Sequence, residues 1–355
     1  MNQTAKFRIA LTADFFDESG NTKFPQIGDD VLDGQHQIEK VVMDRLSTPI
    51  EPDQLAGVHG VVVLTPPVDA SSLAQSEDLL AVARFGVGYD SVDVEACTAA
   101  DVMLTITTGA VDRPVAEATV GWMIALSHHM LVKDRLVREG RWSDRSRYMG
   151  GELRDRTLGI VGLGGIARST LSLLQPFGMN RPLAFDPFVS QQAAQEAGVD
   201  LVGLDELLER ADFVSIHCPL TPKTRGLIGA AQFANMKEGA FLINTARGGI
   251  VDEDALAEAL SSGRIGGAAL DCFDGEPITE PSRFRDFENV LLAPHSIAWT
   301  NELFRDIGRT AFRGLVELTG GRRPHGIVNP EVLGRPGFRE KWSRVTGVEL
   351  DRLPT

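Results

Sequence analysis

Four side chains that can carry acid–base or anion-binding chemistry follow short apolar runs in the second half of the sequence. Arg247 follows AFLINTA, Asp271 follows GGAAL, Glu276 stands a few positions further on, and His295 follows NVLLAP. In a doubly wound parallel sheet the carboxyl ends of the strands line one crevice. We therefore expect these four side chains to converge in the fold although they are distant in the sequence.

The residue types suit hydride transfer at a carbon that carries an oxygen and adjoins a carboxylate. A histidine such as His295 can give or take the hydroxyl proton near neutral pH. A carboxylate such as Glu276 on its ring would orient the imidazole and favour the protonated form. The planar guanidinium of Arg247 matches a substrate carboxylate and can polarise the reacting oxygen. Each residue alone would more often be structural, but together they predict an oxidoreductase acting on 2-hydroxy or 2-keto acids.

A glycine-rich turn predicts the cofactor. Gly162, Gly164 and Ala167 lie between the apolar run LGIV and a helix-like segment, which is the arrangement of a dinucleotide-binding turn. Asp186 ends the next apolar run, about twenty residues on, where a carboxylate accepts hydrogen bonds from ribose hydroxyls and repels a 2′-phosphate. The pattern predicts binding of NAD (NADH) rather than NADP.

The elements that must position these residues alternate between apolar runs and helical patterns, which is typical of parallel α/β sheets. One series extends from Phe7–Leu11 to Val102–Thr107, and a second begins at Thr157–Gly164. We predict a long helical stretch over about Val115–Glu139 between the two series. A last helix ends at Gly320–Gly321 and has one apolar face, formed by Leu303, Ile307, Ala311, Leu315 and Leu318. The fold class is therefore α/β, with two Rossmann- or flavodoxin-like doubly wound domains.

The length and composition of the chain limit its domain organisation and the kinds of partner that it can bind. A chain of 355 residues is long for one core, which favours two domains. Its 49 acidic and 35 basic residues give a net charge of −14, which disfavours nucleic acid and anionic membranes as partners. No signal-peptide pattern or membrane-length apolar run is present, so we expect a cytoplasmic protein. The three cysteines are scattered without a CxxC pair, so we expect reduced thiols and no metal site.

On these residues and motifs the chain resembles the D-isomer-specific 2-hydroxyacid dehydrogenase family, which includes glyoxylate/hydroxypyruvate reductases and phosphoglycerate dehydrogenases. The resemblance extends from ARFGVGYDSVDVEAC to HGIVNPEVL. The motifs that carry it are GVGYDSVDVEA, the segment Gly109 to Thr119, GIVGLGGIA, HCPLTPKTRGLI, LINTARGGIVDEDAL, GAALDCFDGEP and APH.

The resemblance implies a discontinuous substrate domain (1–114 and 300–355), an NAD-binding domain (115–299), an active site in the cleft between them, and a homodimer formed mainly through the NAD-binding domains. It implies that Arg247, Glu276 and His295 are catalytic and that backbone amides around Val87 and Gly88 take the substrate carboxylate. The implied cofactor contacts, beyond Gly162 and Gly164, are Gly165, Ile166, Asp186, Pro219, Thr224, Thr245, Ala246 and Asp271.

The chain departs from the family pattern near the substrate. The usual glycine two residues after the catalytic histidine is Ile297, the usual proline before GAV is Thr108, and Asp112 and Arg113 add charge to a segment that is commonly less charged. We expect a small unphosphorylated 2-keto acid such as glyoxylate or hydroxypyruvate, or a longer sugar acid, with a small-molecule substrate as the main partner.

Two alternatives remain open. One is 3-phosphoglycerate dehydrogenase activity, which the acidic loops ADFFDESG and TPPVDAS and the lack of an appended regulatory domain disfavour, although Arg84 and Arg113 could meet a phosphate. The other is an NAD-responsive, corepressor-like binding protein, which the acidic charge and the lack of long tails disfavour.

Overall fold

The apolar runs form parallel strands in the computed structural model, which describes residues 6–348. The strands are β1 (Phe7–Leu11), β2 (Ile38–Val42), β3 (Gly60–Val63), β4 (Ala81–Arg84), β5 (Met103–Thr105), β6 (Leu158–Val161), β7 (Leu183–Phe185), β8 (Asp200–Leu201), β9 (Phe213–Ile216), β10 (Phe241–Asn244), β11 (Gly267–Leu270) and β12 (Val290–Leu292). The helices are α1 (Val94–Ala99), α2 (Asp112–Ser127), α3 (Met130–Arg138), α4 (Gly165–Leu174), α5 (Gln191–Glu196), α6 (Leu204–Arg210), α7 (Ala230–Asn235), α8 (Glu253–Ser261), α9 (Asn301–Thr319) and α10 (Pro336–Thr346).

The chain divides into two units, each with its own sheet. Met1–Val111 and Thr300–Thr355 form unit 1, and Asp112–Trp299 forms unit 2. The sheet of unit 1 has the order β2-β1-β3-β4-β5, which is the flavodoxin-like order. The sheet of unit 2 has the order β12-β11-β10-β9-β6-β7-β8, which is the Rossmann order with one added strand. The prediction of two doubly wound parallel sheets is confirmed.

In unit 2 the strand order reverses between β6 and β9, and ligands of such sheets bind outside the carboxyl ends of the strands at this point. The central strands are buried on both faces because helices cover both sides, as their continuous apolar sequences predict. Regular parallel pairing aligns Leu270 at the end of β11 with Leu292 at the end of β12. The loops after these two strands therefore start side by side.

The long helical stretch predicted over about Val115–Glu139 is confirmed, and two successive helices form it. Helix α2 ends at Ser127 and α3 begins at Met130, with His129 in the left-handed region at a φ of 52°. In a continuous helix the Ser127 carbonyl would accept a hydrogen bond from the backbone N–H four residues on. It instead accepts one from Gly151 N at 2.9 Å. The later segment thus ends α2 in a way that local periodicity could not indicate.

The predicted last helix is confirmed as α9, whose apolar positions are all buried. Thr300 caps its first turn by accepting a hydrogen bond from Leu303 N at 3.0 Å. Its opposite face is polar, so the helix packs on unit 1 along one stripe. Throughout residues 6–348 no helix is long and apolar enough to cross a membrane.

The segment after Pro330, which the sequence left without a role, folds onto unit 1 through α10. Phe338 and Trp342 are fully buried, and between them Lys341 reaches inward. Lys341 Nζ donates to the carbonyl oxygens of Ser76 and Leu79 at 3.3 and 3.1 Å. It also donates to those of Ala100 and Asp101, just past α1, at 2.9 and 3.0 Å. One ammonium group thus satisfies carbonyls from two loops.

We predict that Lys341→Met lowers the free energy of unfolding by about 2–4 kcal/mol, because buried carbonyls lose a charged donor. Arg344→Met is the matched control on the same helix. Its ion pair with Asp78 is exposed, so its loss should cost about 1 kcal/mol or less. Urea unfolding measures both values, and equal losses in the two variants would contradict the role given to Lys341.

Candidate active site

A histidine–carboxylate pair lies at the carboxyl ends of β11 and β12. His295 Nδ1 donates to Glu276 Oε2 at 2.7 Å, which leaves Nε2 as the ring nitrogen that can face a substrate. The side chains are 45% and 32% exposed, so the pair remains open to a small molecule. The structure thus brings together two residues that the sequence analysis proposed as an acid–base pair.

The loop after β11 holds Glu276. Its second carboxylate oxygen, Oε1, accepts a hydrogen bond from Phe273 N at 2.8 Å. Burial raises the pKa of Glu276, but the hydrogen bonds from His295 and Phe273 and the charge of Arg247 outweigh it, so the pKa lies below its ordinary value. Glu276 is therefore a carboxylate at neutral pH and can stabilise a positive charge on the imidazole.

Asp271 holds the segment that follows His295. Its Oδ1 accepts hydrogen bonds from Ser296 N at 2.8 Å and from Ile297 N at 3.1 Å. Asp271 is only 5% exposed, and burial raises its pKa despite these hydrogen bonds. The positive φ of this turn, 53°, falls on His295 itself, so the position of Ile297 does not require glycine. Ile297 thus occupies this position with its backbone N–H bonded to Asp271.

Arg247 lies in a tight loop after β10. The buried Asn244 side chain shapes this loop, accepting a hydrogen bond from Ala246 N at 3.1 Å and donating one to the Arg247 carbonyl at 2.8 Å. Arg247 Nη1 donates to the Ala246 carbonyl at 2.7 Å. Its charge lowers the pKa of Glu276, so the guanidinium lies within electrostatic reach of the acid–base pair. All three residues of the predicted trio thus occupy unit 2.

The glycine turn after β6 lies at the switch point of this sheet. Gly162 has a φ of 96°, and a Cβ atom there would lie 2.8 Å from Cys218 N in the loop after β9. The positive φ and the close approach to Cys218 therefore both exclude a side chain at Gly162. At Gly164 a Cβ would meet nothing within 4 Å, so the backbone there is open to an approaching group. This cradle fits a pyrophosphate at the start of α4.

Asp186 is tied to the glycine turn. Its Oδ2 accepts a hydrogen bond from Leu163 N at 2.9 Å, and its Oδ1 accepts one from Phe188 N, also at 2.9 Å. Each carboxylate oxygen has a second lone pair, so the group can still accept from ribose hydroxyls. The position is the one expected of the carboxylate that selects NAD.

The other predicted cofactor residues differ in what their side chains do. The buried Thr245 hydroxyl has no hydrogen-bond partner within residues 6–348, so a ligand could satisfy it. Thr224 Oγ1 instead shapes its own loop, donating to the Pro219 carbonyl at 2.7 Å. The side chain of Ile166 is partly buried on α4. The open turn and the unsatisfied Thr245 hydroxyl together fit NAD.

Asp112, noted in the sequence only as an added charge, lies against the cofactor turn. A Cβ atom on Gly165 would collide with the Asp112 carboxylate, which therefore lies at the first residue of α4. Burial raises the pKa of Asp112. The two residues are far apart in sequence, and their contact comes from the packing of α2 on α4. Only its unusual charge marked this position in advance.

Two further residues are placed. Burial lowers the pKa of His217 to about 4, and its Nε2 lies 2.9 Å from Ser215 Oγ, so it is a neutral structural residue. Val87 and Gly88 follow β4 in unit 1, where Gly86 has a φ of 142° and its carbonyl accepts from Thr107 N at 3.0 Å. Their role in binding the substrate carboxylate stays a prediction.

Comparison with known proteins agrees with an NAD-binding fold in unit 2. Residues 120–296 match the family model described as D-isomer specific 2-hydroxyacid dehydrogenase, NAD binding domain. The chain is 37% identical over 284 residues to a glyoxylate reductase of Korarchaeum cryptofilum, covering 79% of this chain and 85% of that protein. It is 37% identical over 292 residues to a D-3-phosphoglycerate dehydrogenase of Archaeoglobus fulgidus, covering 80% of this chain and 55% of that protein. The chain thus spans about half the length of the phosphoglycerate dehydrogenases that it matches.

Solved structures of similar proteins share the fold over nearly their whole length. The NAD-complexed D-isomer specific 2-hydroxyacid dehydrogenase of Lactobacillus delbrueckii ssp. bulgaricus superposes with a TM-score of 0.72 at 25% identity, covering 91% of this chain and all of that one. A glyoxylate reductase from Paecilomyes thermophila gives a TM-score of 0.76 at 26% identity, covering 91% and 98% of the two chains. With its Rossmann sheet, glycine turn and matching relatives, the chain belongs to the D-isomer-specific 2-hydroxyacid dehydrogenase family, and unit 2 contains that family's NAD-binding domain.

Proposed function

We propose that the protein interconverts a 2-keto acid and a D-2-hydroxy acid with NAD(H), using His295 as acid and base. The observation that carries the proposal is the 2.7 Å hydrogen bond between His295 Nδ1 and Glu276, within reach of the Arg247 charge in the NAD-binding unit. Bound NAD(H) supplies or accepts the hydride. The protein residues supply or accept the proton and stabilise the charge that develops on the C2 oxygen.

In the reductive direction the imidazolium of His295 donates its Nε2 proton to the C2 oxygen as that oxygen becomes an alkoxide. The Glu276 carboxylate stabilises the imidazolium and fixes its ring, while Phe273 N holds the carboxylate. Arg247 binds the substrate carboxylate and polarises the C2 oxygen with its fixed donors. In this proposal backbone amides at Val87 and Gly88 also bind the substrate carboxylate.

The substrate we favour is a small unphosphorylated keto acid, glyoxylate or hydroxypyruvate. Support comes from the glyoxylate reductase that this chain covers to 85%. Phosphoglycerate dehydrogenase activity is the second candidate, favoured by the 37% identity to proteins of that name. The arginines that could meet a phosphate already have partners: Arg113 pairs with Glu117, and Arg84 donates to the Phe85 carbonyl.

We also propose that two copies associate through the NAD-binding units. The segment from α3 onward exposes large apolar side chains that a monomer would leave in water: Met130, Leu131, Val137, Trp142 and Met149. Patches of this kind mark interaction surfaces. The occupant that we propose is a second copy of this chain, because the resemblance to the family implies a homodimer.

A substrate screen tests the reaction. Absorbance of NADH should fall with glyoxylate or hydroxypyruvate, and much less with NADPH because Asp186 repels the 2′-phosphate. Phosphohydroxypyruvate serves as the competing substrate. A higher kcat/KM for the phosphorylated acid would transfer the proposal to the second candidate, and inactivity with every 2-keto acid would contradict both.

His295→Ala should lower kcat by about 10² or more while the affinity for NADH stays nearly unchanged, because only the proton donor is lost. His128→Ala is the control, since this histidine is exposed in the same unit and should leave kcat within about twofold. Near-normal turnover of the His295 variant would remove this residue from the mechanism.

Glu276→Gln keeps the shape of the side chain but removes the charge that stabilises the imidazolium. Reductive kcat should therefore fall by about 10-fold or more, with a smaller change in NADH affinity. An unchanged reductive kcat would show that Glu276 does not act through the histidine.

Asp112→Asn should strengthen NADH binding by about 2- to 10-fold, because it removes an anion from the helix terminus that faces the pyrophosphate. Since burial raises the pKa of Asp112, protonation of the parent carboxyl should narrow this difference as the pH falls. Fluorescence titration with NADH measures the effect, and Glu117→Gln on the exposed face of α2 is the control. Weaker binding by the Asp112 variant would show that the carboxylate helps the cofactor instead.

Sedimentation should give twice the chain mass of 38.4 kDa. Val137→Asp should shift the protein towards the monomer because a charge would enter an apolar contact. Ile278→Asp, at a similarly exposed residue outside the segment, is the control. A monomeric parent protein, or equal shifts in both variants, would exclude this surface.

A further inference from the structure

A third donor lies beside the acid–base pair. Cys272 follows β11 between Asp271 and the Glu276 loop, and its thiol lies 3.4 Å from the Ala246 carbonyl oxygen. One ligand atom each from Cys272, Glu276 and His295 all lie within 4.8 Å of one another. The three cysteines are scattered in the sequence, and only the fold brings this one to the pair.

These three atoms form a mixed donor set of sulfur, nitrogen and carboxylate oxygen. Zn²⁺ binds all three kinds, with bonds of about 2.0–2.3 Å, so neighbouring ligand atoms in a tetrahedral site lie about 3.5 Å apart. The three ligand atoms lie within 4.8 Å of one another, so each distance between them needs to shorten by at most about 1 Å or a little more to form such a site. Mg²⁺ and Ca²⁺ prefer oxygen ligands, so a donor set that contains sulfur and nitrogen does not favour them.

We propose that Cys272, Glu276 and His295 form an inhibitory binding site for Zn²⁺ and other thiophilic divalent cations. The inhibition rests on the proposed function, whereas the binding rests on the donor set alone. On binding, the Cys272 thiol loses its proton to solvent and a metal–sulfur bond forms. The His295 ring nitrogen beside Glu276 also gives up its proton, so the ring binds as a neutral imidazole with its proton on the other nitrogen, and the freed lone pair bonds to the metal. There is no change of oxidation state.

The metal stops proton transfer for a simple reason. A cation on one ring nitrogen occupies the lone pair that a second proton needs, so the imidazolium that donates the proton cannot form. A carboxylate that binds the same cation also no longer stabilises positive charge on the ring. Cys272 itself has no part in the proposed proton transfer. Its exchange for valine, which has a similar volume, should therefore preserve turnover while removing the sulfur ligand.

Direct binding is the first test. Titration of the purified full chain with Co²⁺ should produce the near-ultraviolet absorption of a cobalt–thiolate bond, and calorimetry with Zn²⁺ should show one site per chain. Cys272→Val should lose the cobalt–thiolate absorption and weaken Zn²⁺ binding by 10-fold or more. Cys218→Ser is the matched control, because this partly exposed thiol of the same unit lies outside the cluster and its loss should leave both signals intact. Cys272→Ser repeats the test with a second variant of the same residue.

Turnover is the second test. Micromolar Zn²⁺ should inhibit reduction of the keto acid by the parent protein and by Cys218→Ser, with recovery on addition of EDTA, and should inhibit Cys272→Val at least 10-fold less. Equal Zn²⁺ affinity and an unchanged cobalt spectrum in Cys272→Val would overturn the site. A protein that shows the cobalt–thiolate absorption but reduces no 2-keto acid would keep the site and contradict only the proposed function.

Discussion

The hydrogen bond between His295 Nδ1 and Glu276 Oε2 constrains most of what surrounds it. The partners come from loops after adjacent parallel strands, and a 2.7 Å contact forms only if both loops leave the sheet at fixed positions. Phe273 N secures the carboxylate, and Asp271 secures the backbone directly after the histidine. With Nδ1 engaged, the ring is oriented and Nε2 is the nitrogen that can face a substrate.

Several carboxyl groups lie at the same edge of the sheet of unit 2, and their proximity and burial explain the shifted pKa values there. Asp271 is buried and its pKa is raised, whereas Glu276 is held ionised by the histidine, a backbone amide and the Arg247 charge. Asp112 adds a further carboxylate where α4 begins. The Arg247 charge therefore acts twice in the proposed mechanism: it contributes, after His295 and Phe273, to keeping Glu276 ionised, and it attracts an anionic substrate into an acidic protein.

Continuous apolar runs predicted most of the strands, and loop positions after those strands predicted the trio. The runs failed for β2 and β8: in β2 the sequence IEKVV places charged residues on an edge strand, and β8 is only two residues long. Contacts that depend on packing between distant elements could not be predicted. The approach of Asp112 to Gly165, the four carbonyls around Lys341 and the position of Cys272 beside Glu276 are of this kind. Periodicity reports on one element at a time, whereas these contacts join two or three.

The most direct measurement is the fate of hydrogen from the cofactor. Reduced NAD carrying deuterium at the transferable position of the nicotinamide would be incubated with hydroxypyruvate, and the glycerate formed would be analysed by NMR. Hydride transfer at C2, with the proton supplied by His295, predicts one deuterium per molecule at C2 of the D isomer. Glycerate without deuterium at C2, or glycerate of the L configuration, would contradict the account.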